Sequence, residues 1–286
     1  DRMKLRRSLA VLALCLIPML CFGQGKLYTK SRRLSDFPAH TTKVVLSGNP
    51  DIDAEVRKAV QARWRLSPYE FCSPGEYEAV SSNPSYYILH LNLGADRRSR
   101  ESGLAYMTLS KGGNRKDKQS LDAGFDVISV PFAPLQHLGG RECIYLPALL
   151  NILQNYVEDA QTSNSKSVMG LLGDNIGLLE KNGKPILLAR EELSADNSAG
   201  TAAKFPKAFR VMPAAEVDSV FAAAPDSLLV SYVVVPDNPQ FGALSYQMVI
   251  DPSTHDLFYY TCHTYVMEGQ KGFWPSELRY LGRKNR

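Results

Sequence analysis

Apolar residues first recur at helical spacing at Ile52, Val56, Ala59, Val60 and Trp64, which predicts a helix with one buried face. Asn49-Pro50 supplies its N-cap and a proline at the first helical position. Asp51, Asp53 and Glu55 fall early in it and Arg57, Lys58 and Arg63 late, as the helix dipole favours. Lys43–Ser47, just before, reads as a short strand. The stretch Trp64–Leu93 is the one around which the chain is organised. Ser73-Pro74 opens a two-turn helix with Tyr77 and Val80 as its buried stripe, and Asn83-Pro84 ends it, because the residue before a proline is pushed out of the α region. Tyr86–Leu93 alternates as a strand: Tyr87, Leu89 and Leu91 point one way, Tyr86, Ile88 and His90 the other. Strands are predicted again at Leu104–Leu109 and Phe125–Val130, and Pro147 opens an amphipathic helix through Leu149, Leu150, Leu153 and Val157.

The same order then returns. Residues 158–167 are polar and mark a boundary between lobes. Asn182-Gly183 predicts a hairpin between Ile176–Glu180 and Pro185–Ala189, and Ser194–Lys204 is a loop of small residues. Pro213, Glu216, Val217 and Val220 echo Pro74, Glu76, Tyr77 and Val80 with one residue inserted. Pro225 precedes a strand at Leu228–Val235 as Pro84 precedes Tyr86–Leu93. Strands follow at Leu244–Ile250 and Leu257–Val266, and Pro275 opens a last helix. The expected fold is therefore α/β of the α+β kind, with mixed, largely antiparallel sheets. Two related helix–strand–strand–strand–helix lobes are expected at 43–162 and 163–286. Tyr87, Leu89 and Leu91 should lie in the core of the first, with Leu228 and Val230 taking that part in the second.

The start of the chain predicts export of this body. Arg2, Lys4, Arg6 and Arg7 precede an apolar run from Leu9 to Leu20, and Cys21-Phe-Gly23 leads to Gln24. That is the pattern of a cleaved secretory signal over 1–23, cut near Gly23/Gln24, with 24–42 as an extended leader. The run is shorter than the roughly twenty residues a spanning helix needs. Leucine directly before Cys15 and Cys21 does not fit a lipoprotein signal, which takes a small residue there. Of the formal charge of +4, the first 23 residues carry +3, so the remaining 263 are nearly neutral. A neutral body gives no electrostatic case for nucleic acid or an anionic membrane. Cys72, Cys143 and Cys262 remain after cleavage, an odd number without metal-ligand spacing, so at most one disulfide can form.

The chemistry-bearing residues form no recognised catalytic pattern. His40, His90, His137, His255 and His263 contain no H-x-x-x-H or H-E-x-x-H pair, so no metal ligands are assigned. Alternation sends Cys262 and His263 to opposite faces of one strand. Ser163-Asn-Ser-Lys166 matches S-x-x-K without its companion elements. Gly170, Gly173 and Gly177 lack the order and the lysine of a phosphate loop. Asp251 and Asp256 flank a turn. Tyr69, Phe71, Tyr77, Tyr86 and Tyr87 are candidates either for core packing or for a peptide or glycan groove. No catalytic, cofactor-binding or metal residue is assigned, and no cofactor is expected.

The segment Trp64–Cys72, W-x-x-S-P-Y-E-F-C, resembles a motif of uncharacterised exported proteins of Bacteroidetes-type bacteria, and the glutamine after the signal cut is in the same style. The resemblance covers mainly residues 43–93 and brings no activity or site residues with it. The order of helix, strand and paired strand with a D-x-x-x-x-D turn is also similar to TolB-like and CsgG-like envelope domains. The expectation is a non-catalytic protein of the periplasm or cell envelope of a Gram-negative bacterium. It would bind or scaffold other envelope components, with envelope proteins as partners. The alternative is a secreted hydrolase with a dispersed active site, with His255 as the place to look, so whether the protein is an enzyme stays open.

Overall fold

The computed structural model of the chain describes residues 34–94, 101–116, 123–136, 138, 140–163, 179–180, 182–195, 197–265 and 269–285. The signal and the first half of the leader lie outside these residues. The first lobe runs β1 (Thr41–Val45), α1 (Pro50–Arg63), β2 (Tyr69–Cys72), α2 (Tyr77–Ser81), β3 (Tyr86–Asn92), β4 (Leu104–Lys111), β5 (Phe125–Pro134) and α3 (Leu146–Thr162). The second runs β6 (Ile186–Ala189), α4 (Ser198–Ala202), β7 (Phe209–Met212), α5 (Ala214–Ala222), β8 (Leu229–Val234), β9 (Leu244–Ile250), β10 (Leu257–Thr264) and α6 (Pro275–Lys284).

The two sheets have the same topology. The first is ordered β2-β1-β3-β4-β5 and the second, read from the matching edge, β7-β6-β8-β9-β10. In each, the first three strands of the repeat are parallel and the last two run antiparallel, so the sheets are mixed and their long ladders antiparallel. Even an irregularity repeats. The register slips at Val127, between the partners of Leu109 and Ser110, and at Phe258, between those of Val249 and Ile250. A bulge adds one unpaired residue and a local bend, and its recurrence at the same place fixes the alignment of the repeats. Ile88, across from Ser110, then corresponds to Val230, across from Ile250. Their neighbours Lys43 and Leu187 correspond likewise.

Local chemistry accounts for these elements. The Asn49 side chain accepts from the N–H groups of Asp51 and Ile52 and caps α1. Asp53 accepts from Ser47 N at 2.7 Å and Gly48 N at 3.0 Å, tying the β1–α1 turn to the helix. Glu76 closes a capping box with Ser73 ahead of α2. The fully buried Gln154 of α3 holds the far end of α1, accepting from Arg65 N and donating to Arg63 O.

In each repeat, the first and third helices cover one face of the sheet and the second helix covers the other. Val44, Leu89 and Leu109 pack with α1 and α3 in the main core, while Val45, Cys72 and Ile88 meet Tyr77 and Val80 of the α2 side in a small cluster. In the second lobe, α4 and α6 cover Leu188, Leu229 and Val249. The α5 side of that sheet, with Val230, Tyr232, Met248 and Ile250, turns into the main core. The lobes therefore stack head to tail, the α1/α3 layer of one lying against the α5 face of the other. Tyr145 marks the joint, its ring stacked on Tyr232 at 4.0 Å and packed on Phe221 at 4.3 Å. Asn151 and Asn155 of α3 donate to His255 O and the Asp256 carboxylate in the β9–β10 turn. The Tyr232 hydroxyl donates to Phe132 O at the end of β5.

Several expectations need adjusting. Residues 34–40 are more than a leader: Leu34 and Phe37 are fully buried, and Asp36 accepts hydrogen bonds from Tyr87 and Lys111. The strand β2 went unread, because it is four residues long and its partner β1 is non-local. Ile186–Ala189 is a strand, but it pairs in parallel with β7 and β8, so Asn182-Gly183 does not form the hairpin expected there; residues 176–178 lie outside the described residues. The small-residue loop contains α4. Tyr87, Leu89 and Val230 are core residues, while Leu91 and Leu228 are half-buried. Val230 reaches the core from the face opposite to that of Leu89, a consequence of the head-to-tail stacking.

Candidate binding clefts

Two open concavities and one buried polar network gather chemistry-bearing side chains. The first concavity is a groove of about 780 Å³ between the lobes. The outer side of α1 forms one wall through Asp51, Glu55, Lys58 and Arg63, and Phe221, Ala224 and His255 form the other. His255 occupies the β9–β10 turn with a positive φ of 64°, a conformation that asparagine, aspartate and histidine adopt more readily than other non-glycine residues. Its ring stacks on Phe221. Burial holds its imidazole down at about 4, and Arg63 adds to this against the opposing pull of Asp251 and Asp256. Cys143 lies in the same groove, but burial pushes its thiol up to about 11, away from an activated nucleophile.

The second concavity, about 640 Å³, lies over the α2 side of the first sheet. A row of polar side chains crosses its floor: His90 on β3, Thr108 opposite it on β4, and Ser129 opposite that on β5. The Thr108 and Ser129 hydroxyls are hydrogen-bonded at 3.0 Å. Tyr77 stands beside His90 with ring centroids 5.2 Å apart. Arg115 and Asp126 form an ion pair of 2.9 Å at one end. Aliphatic side chains, among them Val45, Leu46 and Leu93, complete the walls.

The buried network joins the lobes. Arg141 donates through Nε and Nη2 to the two oxygens of Asp218, both at 2.8 Å, and through Nη2 to Glu192 at 3.2 Å. Tyr145 donates to Asp218, and Ser231 donates to Glu192 while accepting from Ala189 N. Burial pushes the Glu192 carboxyl up to about 7, although Arg141 and Ser231 work in the opposite direction. Arg141 and Tyr145 of the first lobe reach across the joint to Asp218 and Glu192 of the second, and the network holds the lobes in register.

The remaining candidates are dispersed. His40 sits at the start of β1 and its ring contacts Ser85 O. His263 packs on Trp274 and near Glu277, on the side of β10 away from Cys262, as the alternation predicted. Cys72 is a buried free thiol raised by its burial. Asp251 accepts from Ser253 and Thr254 in the turn and pairs with Lys184, the turn role expected of it. Tyr87 is core, Tyr69 and Phe71 pack edge to face on each other, and Tyr77 lines the second cleft. His137, Ser163-Lys166 beyond Ser163, and Gly170, Gly173 and Gly177 lie outside the described residues. Among the described residues no three His, Cys, Asp or Glu side chains come together as a metal site, and no helix is long and apolar enough to cross a membrane.

The row His90–Thr108–Ser129 and the Arg141 network were not found from sequence. A signal for the row was present: Thr108, Ser110 and Ser129 are polar where the corresponding strand positions Met248, Ile250 and Tyr260 are apolar. No family model, curated protein or solved structure matches the chain.

Proposed function

We propose that the protein is an exported, non-catalytic component of a Gram-negative cell envelope that binds or scaffolds other envelope components. The observation that carries this reading is the cleft over the first sheet. Its floor is a surface of three hydrogen-bonded strands carrying hydroxyl and imidazole side chains, suited to recognition by shape and hydrogen bonding. The strongly shifted acid, Glu192, is committed to the joint between lobes, and the shifted groups of the interlobe groove are a neutral imidazole and a protonated thiol. The basic, apolar start of the chain and the motif at Trp64–Cys72 support export and the envelope setting. Affinity capture from native envelopes tests the reading. One or a few stoichiometric envelope components should be recovered. A protein that captures nothing yet turns over a glycan, peptide or ester in a broad hydrolase screen would favour the alternative, with the groove at His255 as the place to look.

A further inference from the structure

The two repeats use the same face of the same sheet in opposite ways. In the second lobe the row Tyr232–Met248–Tyr260 and the adjoining Val230–Ile250–Leu257 are apolar and covered by the first lobe. The corresponding rows in the first lobe are His90–Thr108–Ser129 and Ile88–Ser110–Asp126. Among the described residues no third lobe stacks on this face, and it holds the cleft of about 640 Å³. From this divergence we infer that the cleft is a binding site for a neutral, polyhydroxylated ligand, a glycan segment of about one to three sugar rings. The inference rests on the reading that the protein acts by binding.

Three features select that chemistry. Hydroxyls such as those of Thr108 and Ser129, and an amide such as that of Asn92, each donate and accept, as sugar hydroxyls do. Tyr77 and the aliphatic walls offer apolar surface to the C–H faces of a pyranose ring. The two charged side chains among the described lining residues, Arg115 and Asp126, are of opposite sign and paired with each other. The volume falls within the range of roughly 300–1,000 Å³ typical of small-ligand sites.

The test uses the full chain with maltotriose, cellotriose, mannotriose and chitotriose as neutral probes and trigalacturonic acid as a charged one, at millimolar concentration, followed by saturation-transfer NMR. At least one neutral trisaccharide should bind, with little dependence on salt, and should shift amide resonances of β3, β4 and β5. The double variant Thr108→Val/Ser129→Ala should weaken it by about tenfold or more, the loss of one to two hydrogen bonds. Arg63→Ala, in the other groove, should leave it unchanged. If the double variant does not fold, the resonance map of the unaltered protein decides. Binding of none of the neutral probes, binding of trigalacturonic acid alone, or shifts confined to the interlobe groove would overturn the inference. If these probes fail while envelope capture succeeds, only the ligand class falls; if both fail, the binding reading falls with it.

Discussion

Arg141 shows how much can depend on one side chain at a joint. Its guanidinium satisfies both oxygens of Asp218 and one of Glu192, and both acids are nearly buried. Arg141→Met would leave two buried carboxyls without their cationic partner, and removing one member of such a set typically costs about 3–5 kcal/mol. Urea unfolding should show that loss; an unchanged midpoint would mean the network does not hold the lobes. Two residues near the joint also give the stability opposite dependences on pH. His255 titrates at about 4 in the fold against 6.5 in a free chain, so the unfolded state takes up more protons and stability is lost as pH falls from 6.5 towards 4. Glu192 titrates at about 7 against 4.5, so the folded state holds the extra proton and stability is lost as pH rises from 4.5 to 7. Glu192→Gln should therefore steepen the loss on acidification between pH 6.5 and 4.5. His255→Asn, which tolerates the positive φ, should remove it. Unfolding midpoints across that range check both, and identical slopes in all three proteins would contradict the assignment. None of this was legible in the sequence. His255 reads there as a turn residue, and neither its stacking on Phe221 nor its backbone conformation leaves a local trace.

At the scale of elements, sequence reading succeeded where periodicity was long or punctuation strong. Leu244–Ile250 was predicted with its observed limits, and Asn49-Pro50, Ser73-Pro74 and Pro275 each opened a helical segment where expected. It failed at β2 and β7, four-residue strands whose parallel partners are non-local, and at α4, where small residues carry little amphipathic signal. Leu89 of β3 is 3% exposed in the main core. Leu89→Ala should cost about 2–5 kcal/mol, and an unaltered unfolding midpoint would show the wrong face to have been assigned. Gly272 leaves no room for a side chain: at φ +85° a Cβ there would lie 2.0 Å from the carbonyl oxygen of Glu192. Gly272→Ala should accordingly destabilise the second lobe, through strain and through displacement of the backbone next to Glu192. A rise in the thermal midpoint would contradict that.

The molecule as a whole is one repeat used twice, with opposite faces of the two sheets meeting in a shared core. The duplication was legible from the order of elements and the echo of Pro74–Val80 at Pro213–Val220. The head-to-tail stacking was not, because it depends on which face each repeat buries, and both faces of the second sheet are apolar. A shared core predicts one cooperative transition. Trp64 lies in the first lobe and Trp274 in the second, so Trp64→Phe and Trp274→Phe variants each report on one lobe by fluorescence. Both signals should change at one denaturant concentration, together with the circular dichroism; separate midpoints would mean independent lobes. The same asymmetry leaves the α2 side of the first sheet open, and there the account places association with an envelope component. A photoreactive phenylalanine analogue at Leu93, on the wall of that cleft, and another at Lys58, in the interlobe groove, test this directly in native envelopes. The account predicts a discrete envelope adduct from Leu93 and none from Lys58; an adduct from Lys58 alone, or from neither, would contradict it.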